Sequence, residues 1–516
     1  MKKIIPIILT ALLFFSCEDF LEVDPVNEVV IKHVDDVKST LGHYLFRIVE
    51  PFESREGSGR PYLNDQLFST DIMFYPDHSL NQLCMYQSDE VDSDLYPSMG
   101  YLVYGRTTSA AYEQGVKWEL TESQERIWKK AYRAIGFFNS LLDELKHIEG
   151  DQYDKEVAKG ELLTLRAFHI FKLLQFFAPY TNNELGIPLN IDADKVADYE
   201  GSRWTHTEVY NLLIDDLTEV LSYESEPEHG YNIFYSRSVA HAILAQVYHY
   251  KGLSPAKASD DWSNARTHAE EVLKEQQLVS DRADYLPVYH NANKNVVEKD
   301  SPHALLVFYW GNKWIRSFMN YWGRPMYGHR MMNGLPIADD LTNAYSDSDI
   351  RLLVGPTPPS NQRDYTGAFI FKNTTTGLNF STKYPYVSRE RNYETLPLFR
   401  AEEMHLIVAE AYAREGNQAK ASEFLSAFKL AKNAGESQNT DVLDEILLER
   451  RKEFISEYDV RWLDMKRTGH SFSRNFVHPV DGEQTYTIEE NDYRYSFRIP
   501  DSELTYNRKL NQNPGW

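Results

Sequence analysis

Cys17 stands at the end of an apolar run, and its thiol is the residue best placed for a covalent modification. Met1-Lys2-Lys3 is a short basic start, Ile4 to Phe15 is almost wholly apolar, and Ser16 is a small residue just before the cysteine. Such a run is too short to cross a bilayer as a helix, which takes about 20 residues. It has the proportions of a secretory signal. Residues 1–16 are therefore expected to be a lipoprotein signal peptide, with Cys17 becoming the acylated first residue of the mature chain. Lipid on Cys17 would tie the protein to a membrane without any spanning helix.

A second kind of chemistry is suggested by aromatic rings set among amides, acids and arginines. Flat aromatic faces suit the apolar faces of sugar rings, and polar side chains suit their hydroxyls. The densest such stretch is "FYWGNKWIRSFMNYWGRPMYGHR", residues 308–330, with Trp310, Trp314, Tyr321, Trp322, Arg324 and Tyr327. Gly311, Gly323 and Gly328 interrupt any regular element there. A second cluster, residues 62–77, offers Asn64, Asp65 and Tyr75, and a third, residues 96–118, offers Tyr101. Core packing is the competing reading for each ring; Val307 to Trp310, for instance, also reads as a buried strand.

The charged run at 449–467 pairs carboxylates with arginines, a combination that active sites also use. Glu449, Glu453 and Glu457 recur at four-residue steps, which places them on one helical face seeking basic partners such as Arg461 or Arg400. That pattern fits structural ion pairs, and Glu161 and Arg166 read the same way. No cofactor or metal site is expected, and with 77 acids the residues alone leave a glycosidase carboxylate pair open. The sequence has no glycine-rich phosphate loop, no His-Glu-x-x-His and no Gly-x-Ser-x-Gly. The sixteen histidines are scattered, and the two cysteines, Cys17 and Cys84, leave no intrachain pair once Cys17 is modified. A net charge of -23 argues against nucleic acid, whose phosphates are held by clustered Lys and Arg.

Helices must carry these stretches. Trp128, Ala131, Ile135, Phe138, Leu142 and Leu145 make one apolar stripe. A second helix is expected over about 153–177, apolar on most sides and stopped by Pro179. A third is expected over about 207–223. "AQVYHYKG" (245–252) and "AEAYAREG" (409–416) share Ala, Tyr and Gly at identical offsets, and each precedes a second amphipathic helix. This is the helix–turn–helix logic of tetratricopeptide repeats. The fold class expected is mainly α, a tetratricopeptide-like scaffold of helical hairpins at about 121–177, 205–275 and 396–432. Residues 50–118 and 280–395 read as large loop-rich insertions displayed on that scaffold, and stretches this long are usually functional. Residues 441–516 close the chain.

Several stretches together resemble the SusD/RagB family of outer-membrane nutrient-binding lipoproteins. They are "CEDFLEVDP" at the start, "WKKAYRAIGFFNSLLDEL", "ELLTLRAFHIFKLLQFFAPY", "LPLFRAEEMHLIVAEAYAREGN", "ERRKEFISEYDVRWLDMKRTG" and the closing "FRIPDSELTYNRKLNQNPGW". Six pieces in the family's order span residues 17–516, read as one SusD-like domain. Tyr458, Arg508 and Trp516 depart from its usual residues. The resemblance implies a surface protein without catalytic activity that captures an oligosaccharide and delivers it to a SusC-like TonB-dependent transporter. It also places the loop-rich insertions at 50–118 and 280–395 on the ligand side. Glu18-Asp19 resembles the acidic export tag of surface lipoproteins, so outer-membrane, cell-surface placement is implied. A peptide-binding branch of the family and a lipid-anchored glycosidase are the alternatives.

Overall fold

Apolar stripes at helical spacing have to find cover, and in this chain they find most of it in one another. The computed structural model describes residues 31–49, 84, 87–90, 118, 121–192, 201–226, 236–289, 302–310, 337–356, 367–383, 394–457, 459–478 and 482–516. In chain order the elements begin with helices α1 (Val34–Val49), α2 (Thr121–His147), α3 (Gln152–Phe177), α4 (His206–Ser222), α5 (Arg237–Lys251), α6 (Asp261–Val272) and α7 (Tyr285–Tyr289). Strand β1 (Ala304–Trp310), helix α8 (Asp339–Asn343), and strands β2 (Leu352–Gly355), β3 (Ile370–Asn373), β4 (Asn379–Ser381) and β5 (Glu394–Arg400) follow. Helices α9 (Ala401–Arg414), α10 (Gln418–Lys432), α11 (Val442–Glu453) and α12 (Val460–Thr468), hairpin β6 (Phe472–His478) and β7 (Gly482–Ile488), and α13 (Asp501–Tyr506) complete it. The fold is mainly α, with few, short strands.

The stripe from Trp128 to Leu145 is buried along its whole length on α2. Helix α3 is apolar on most sides, and it is buried continuously from Leu162 to Phe177. Asp151 caps its start by accepting from the Tyr153 N–H. Helix α4 opens with a capping box in which Thr205 and Glu208 satisfy each other's backbone N–H groups. One large apolar cluster runs from α1 to Ile499, and a smaller one lies among α9, α10 and α11.

The two matched hairpins are α5–α6 and α9–α10. Ala245 and Ala409 are fully buried at their contacts. The glycines at the shared offset serve different ends. Gly252 is right-handed, and a Cβ there would meet the Trp262 ring at 2.8 Å, so its smallness admits that ring. Gly416 has φ +82° with open space around it, so its role is conformational. The expected hairpin start at 396 is corrected: residues 394–400 are strand β5, and the helix begins at Ala401. Pro397 lacks the N–H that a helix interior needs.

Strands β1 and β5 are antiparallel, with Ala304 opposite Arg400 and Trp310 opposite Glu394. Strand β3 lies between β2, which is parallel, and β4, which is antiparallel.

The closing segment fastens to the end of α3. Phe497 stacks on Phe176 at 5.2 Å, and its N–H bonds to the Phe176 carbonyl. Asn513 donates to the carbonyls of Phe177 and Phe497. Lys466 donates to those of Gln175 and Ala178, satisfying carbonyls that a helix end leaves open. No helix among the described residues is long and apolar enough to cross a membrane.

Candidate functional site

The charged run at 449–467 lies inside the molecule. Glu449 and Glu453 sit one turn apart on α11, whereas Glu457 follows the helix end, beyond a left-handed Ser456 (φ 62°). All three still converge on one network. Arg351 reaches Glu449 at 2.7 Å, Glu453 at 3.2 Å and Asp349 at 2.8 Å. Arg400 reaches Glu453 at 2.8 Å, Glu457 at 2.7 Å and Glu402 at 3.0 Å. Lys432 holds Glu402 at 2.9 Å, Lys452 holds Glu449 at 2.6 Å, and Lys383 pairs with Glu457. Tyr285 and Tyr289 donate to Glu453 and Glu457 at 3.0 and 2.7 Å.

Every carboxylate here has a cation, and the whole is sealed from solvent. Burial pushes the Glu402 carboxyl up, but Lys432 and Arg400 outweigh it and hold the acid at about 2. A dry network of paired charges of this kind suits holding β5, α7, α9 and α11 together, not acting on a ligand. A second such network joins α5, α9, α11 and α12. Glu410 accepts both arms of Arg467, at 2.7 and 2.9 Å, and bonds His249 at 2.8 Å. Asp464 links Arg467 to Arg450, which holds Glu403 at 3.0 Å.

Two of the expected pairings are corrected. Arg461 pairs with Asp89 at 2.6 Å rather than with the α11 glutamates. Arg166 is paired, with Asp216 at 2.7 Å, but Glu161 makes no ion pair among the described residues. Its Oε1 is shut away without a hydrogen bond, and burial pushes its carboxyl up to about 8, only partly offset by Lys38.

Asp89 belongs to a clamp that the sequence did not suggest. Residues 87–90 are gripped by side chains from three distant elements. Arg461 of α12 takes both carboxylate oxygens of Asp89, at 2.7 and 2.6 Å. Arg451 of α11 donates to the Asp89 carbonyl at 2.9 Å, and Arg474 of β6 to that of Ser88 at 3.1 Å. Trp118 donates to the Gln87 carbonyl at 3.2 Å and is sandwiched by Arg474 and Arg494, at 4.9 and 4.8 Å from its ring.

The clamp also touches the other candidate stretch. The Ala338 N–H bonds the Glu90 carbonyl at 2.9 Å, and the Ile337 N–H bonds that of Asn379 at 2.8 Å. Residues 337–338 are the first described residues after Trp310. One loop-rich stretch is thus bonded to the other, at Ala338 and Glu90. Of the candidate ligand residues, Trp310 closes β1 opposite Glu394. Asn64, Asp65, Tyr75, Tyr101, Trp314, Tyr321, Trp322, Arg324 and Tyr327 lie outside the described residues, as does Cys17. Among the described residues, no group of three or more His, Cys, Asp or Glu is placed to hold a metal ion.

Two family models match the chain. One, described as the SusD family, matches residues 293–516. The other, described as "Starch-binding associating with outer membrane", matches residues 19–249. No curated protein matches. Solved structures with the same fold include a SusD-like carbohydrate-binding protein from Bacteroides vulgatus, 18% identical with a TM-score of 0.65, covering 93% of this chain and 98% of that one. A SusD superfamily protein from Bacteroides thetaiotaomicron is 20% identical with a TM-score of 0.65, covering 93% and 100%. A laminarin-binding SusD-like protein is 16% identical with a TM-score of 0.61, covering 94% and 100%. At such identities the likeness speaks to the fold.

Proposed function

The chain belongs to the SusD/RagB family, and on that premise we propose that it is a cell-surface lipoprotein that captures an oligosaccharide and delivers it to a SusC-like TonB-dependent transporter. The observation that carries the capture role is the Glu90–Ala338 contact, which bonds the chain just beyond the most aromatic stretch to the other loop-rich stretch. A rigid scaffold holding aromatic loops is what glycan recognition requires. Ring faces supply affinity by stacking on sugar, and neighbouring amides, acids and Arg324 select among hydroxyl patterns. The mechanism is binding and hand-off, without bond chemistry. The carbohydrate-binding and laminarin-binding relatives support this reading.

The test is a titration of the chain lacking residues 1–17 against plant, mucosal and microbial glycans, laminarin among them, with peptides as controls. Tryptophan fluorescence and heat are the readouts. Saturable binding to one glycan class is expected, weakened about tenfold or more, or roughly 1.4 kcal/mol, in Trp310→Ala or Trp322→Ala. Silence across the glycans, or a response to peptides alone, overturns the proposal.

Placement at the outer membrane follows from the same premise and from Cys17. The wild-type protein is expected to take up a fatty-acid label in cells, and Cys17→Ala is not. An unlabelled wild type, or a labelled variant, removes the anchor.

A further inference from the structure

The α5–α6 hairpin carries a pair of groups that neither the ion networks nor glycan capture uses. His241 of α5 and His268 of α6 face each other with their Nδ1 atoms 2.9 Å apart and their rings tilted by 38°. Both are half-buried at the hairpin surface. Tyr248 lies parallel to His268, within 6° and 5.8 Å, which fixes the plane of that ring. Glu271 of α6, Lys274 and Glu275 just beyond its end, and Arg237 of α5 are the charged groups around the pair.

Two neutral imidazoles make one N–H···N bond, so one Nδ1 carries the proton and the other offers a lone pair. Neither Nε2 is held by a described residue. The shared proton can therefore pass to the Nε2 of its own ring, leaving a lone pair on each Nδ1, 2.9 Å apart.

We propose that His241 and His268 form a two-imidazole site for a divalent transition-metal ion such as Ni2+, Cu2+ or Zn2+, with water completing the coordination. The spacing fits. With metal–nitrogen bonds of about 2.0–2.1 Å, ligands at a right angle lie about 2.9 Å apart, and tetrahedral ones about 3.3 Å. The pair thus already has the separation of adjacent ligands on a tetragonal ion, and needs a few tenths of an ångström more for zinc. Glu271 adds negative charge at both rings, and its exposed pair with Lys274 is weak enough to give up. With two protein ligands, the site exchanges its ion readily, and a bound ion staples the two helices.

The experiment is a calorimetric titration of Ni2+ into the untagged chain lacking residues 1–17, at pH 7.5. One saturable site is expected, at least tenfold weaker in His241→Gln and, separately, in His268→Gln. The exposed His147→Gln should bind as wild type does. Thermal melting of each variant without metal checks its fold, and Ni2+ should raise the wild-type midpoint but not theirs. Wild-type affinity in both folded variants, or no binding by the wild type, overturns the proposal. Glycan binding should be unchanged in either variant, which separates this outcome from the capture role.

Discussion

Arg400→Ala is expected to remove about 3–5 kcal/mol of stability, enough to leave much of the protein unfolded at growth temperature. Arg400 is 2% exposed and touches three carboxylates at once, those of Glu402, Glu453 and Glu457. Its guanidinium also lies 4.8 Å from the Phe454 ring and 5.6 Å from that of Tyr289. It ends β5, opens α9, and meets α11 and α7, so its loss strands negative charge where four elements join. Water cannot enter to replace it without parting them. The cost thus comes from acids left unpaired, more than from the attraction lost. Urea unfolding of the two proteins measures it. Lys420→Ala, which breaks the exposed pair with Glu423, should leave the midpoint unchanged. A shift for Arg400→Ala no larger than that of Lys420→Ala would mean the network is not what holds these elements together.

The family resemblance was carried by residues such as Arg400, Glu449, Arg450, Glu453, Glu457, Asp464 and Arg467, and the structure shows why they make a signature. Each is buried, and each is paired to a partner on another element. They specify how the helices join and carry no information about a ligand. The helices themselves were legible wherever one face was apolar, as from Trp128 to Leu145, because period and burial coincide there. Helix α4, expected over about 207–223, runs His206–Ser222, and Thr205-x-x-Glu208 before it is a readable capping box. Residues 396–400 were read as helix, although Pro397 argues for strand. Glu457 reached its partners from a turn, which four-residue spacing cannot distinguish from a helix.

The clamp on Gln87–Glu90 lay beyond any sequence pattern. Asp89 and Arg461 are separated by 372 residues, and nothing local to either records the other. The candidate ligand residues carry no motif either, and all but Trp310 lie outside the described residues. Segments that select a ligand vary with it, so a family pattern is least able to speak there.

Stability should peak at about pH 6–7 and fall on both sides, for opposite reasons. Burial lowers His169, His206 and His249 to about 4 in the folded chain. An unfolded histidine takes its proton near 6.5, so these groups draw the equilibrium toward unfolding as pH drops from 6.5 to 4. Each contributes at most roughly 3 kcal/mol over that window. Below 4.5 the depressed carboxylates add to this: Glu402 at about 2, and Glu410 and Asp89 well below their usual range because arginines outweigh their burial. Their contribution is present above the unfolded value and lost as pH falls. On the alkaline side the sign reverses. Burial, with Asp89 beside it, raises Glu90 to about 7, and burial raises Glu161 to about 8. Unfolded acids ionise near 4.5, so the folded state holds two extra protons and loses stability as pH climbs from 4.5 to 8. Melting midpoints from pH 4 to 9 test this, with Glu161→Gln beside the wild type. Glutamine cannot ionise, so its advantage should grow steadily between pH 5 and 8. An advantage constant with pH would mean that Glu161 ionises in the folded chain as freely as in the unfolded one, and that its unpaired Oε1 finds a partner as the helices breathe. A growing advantage would locate the alkaline weakness of the scaffold at one unpaired acid on α3, apart from networks whose charges are balanced.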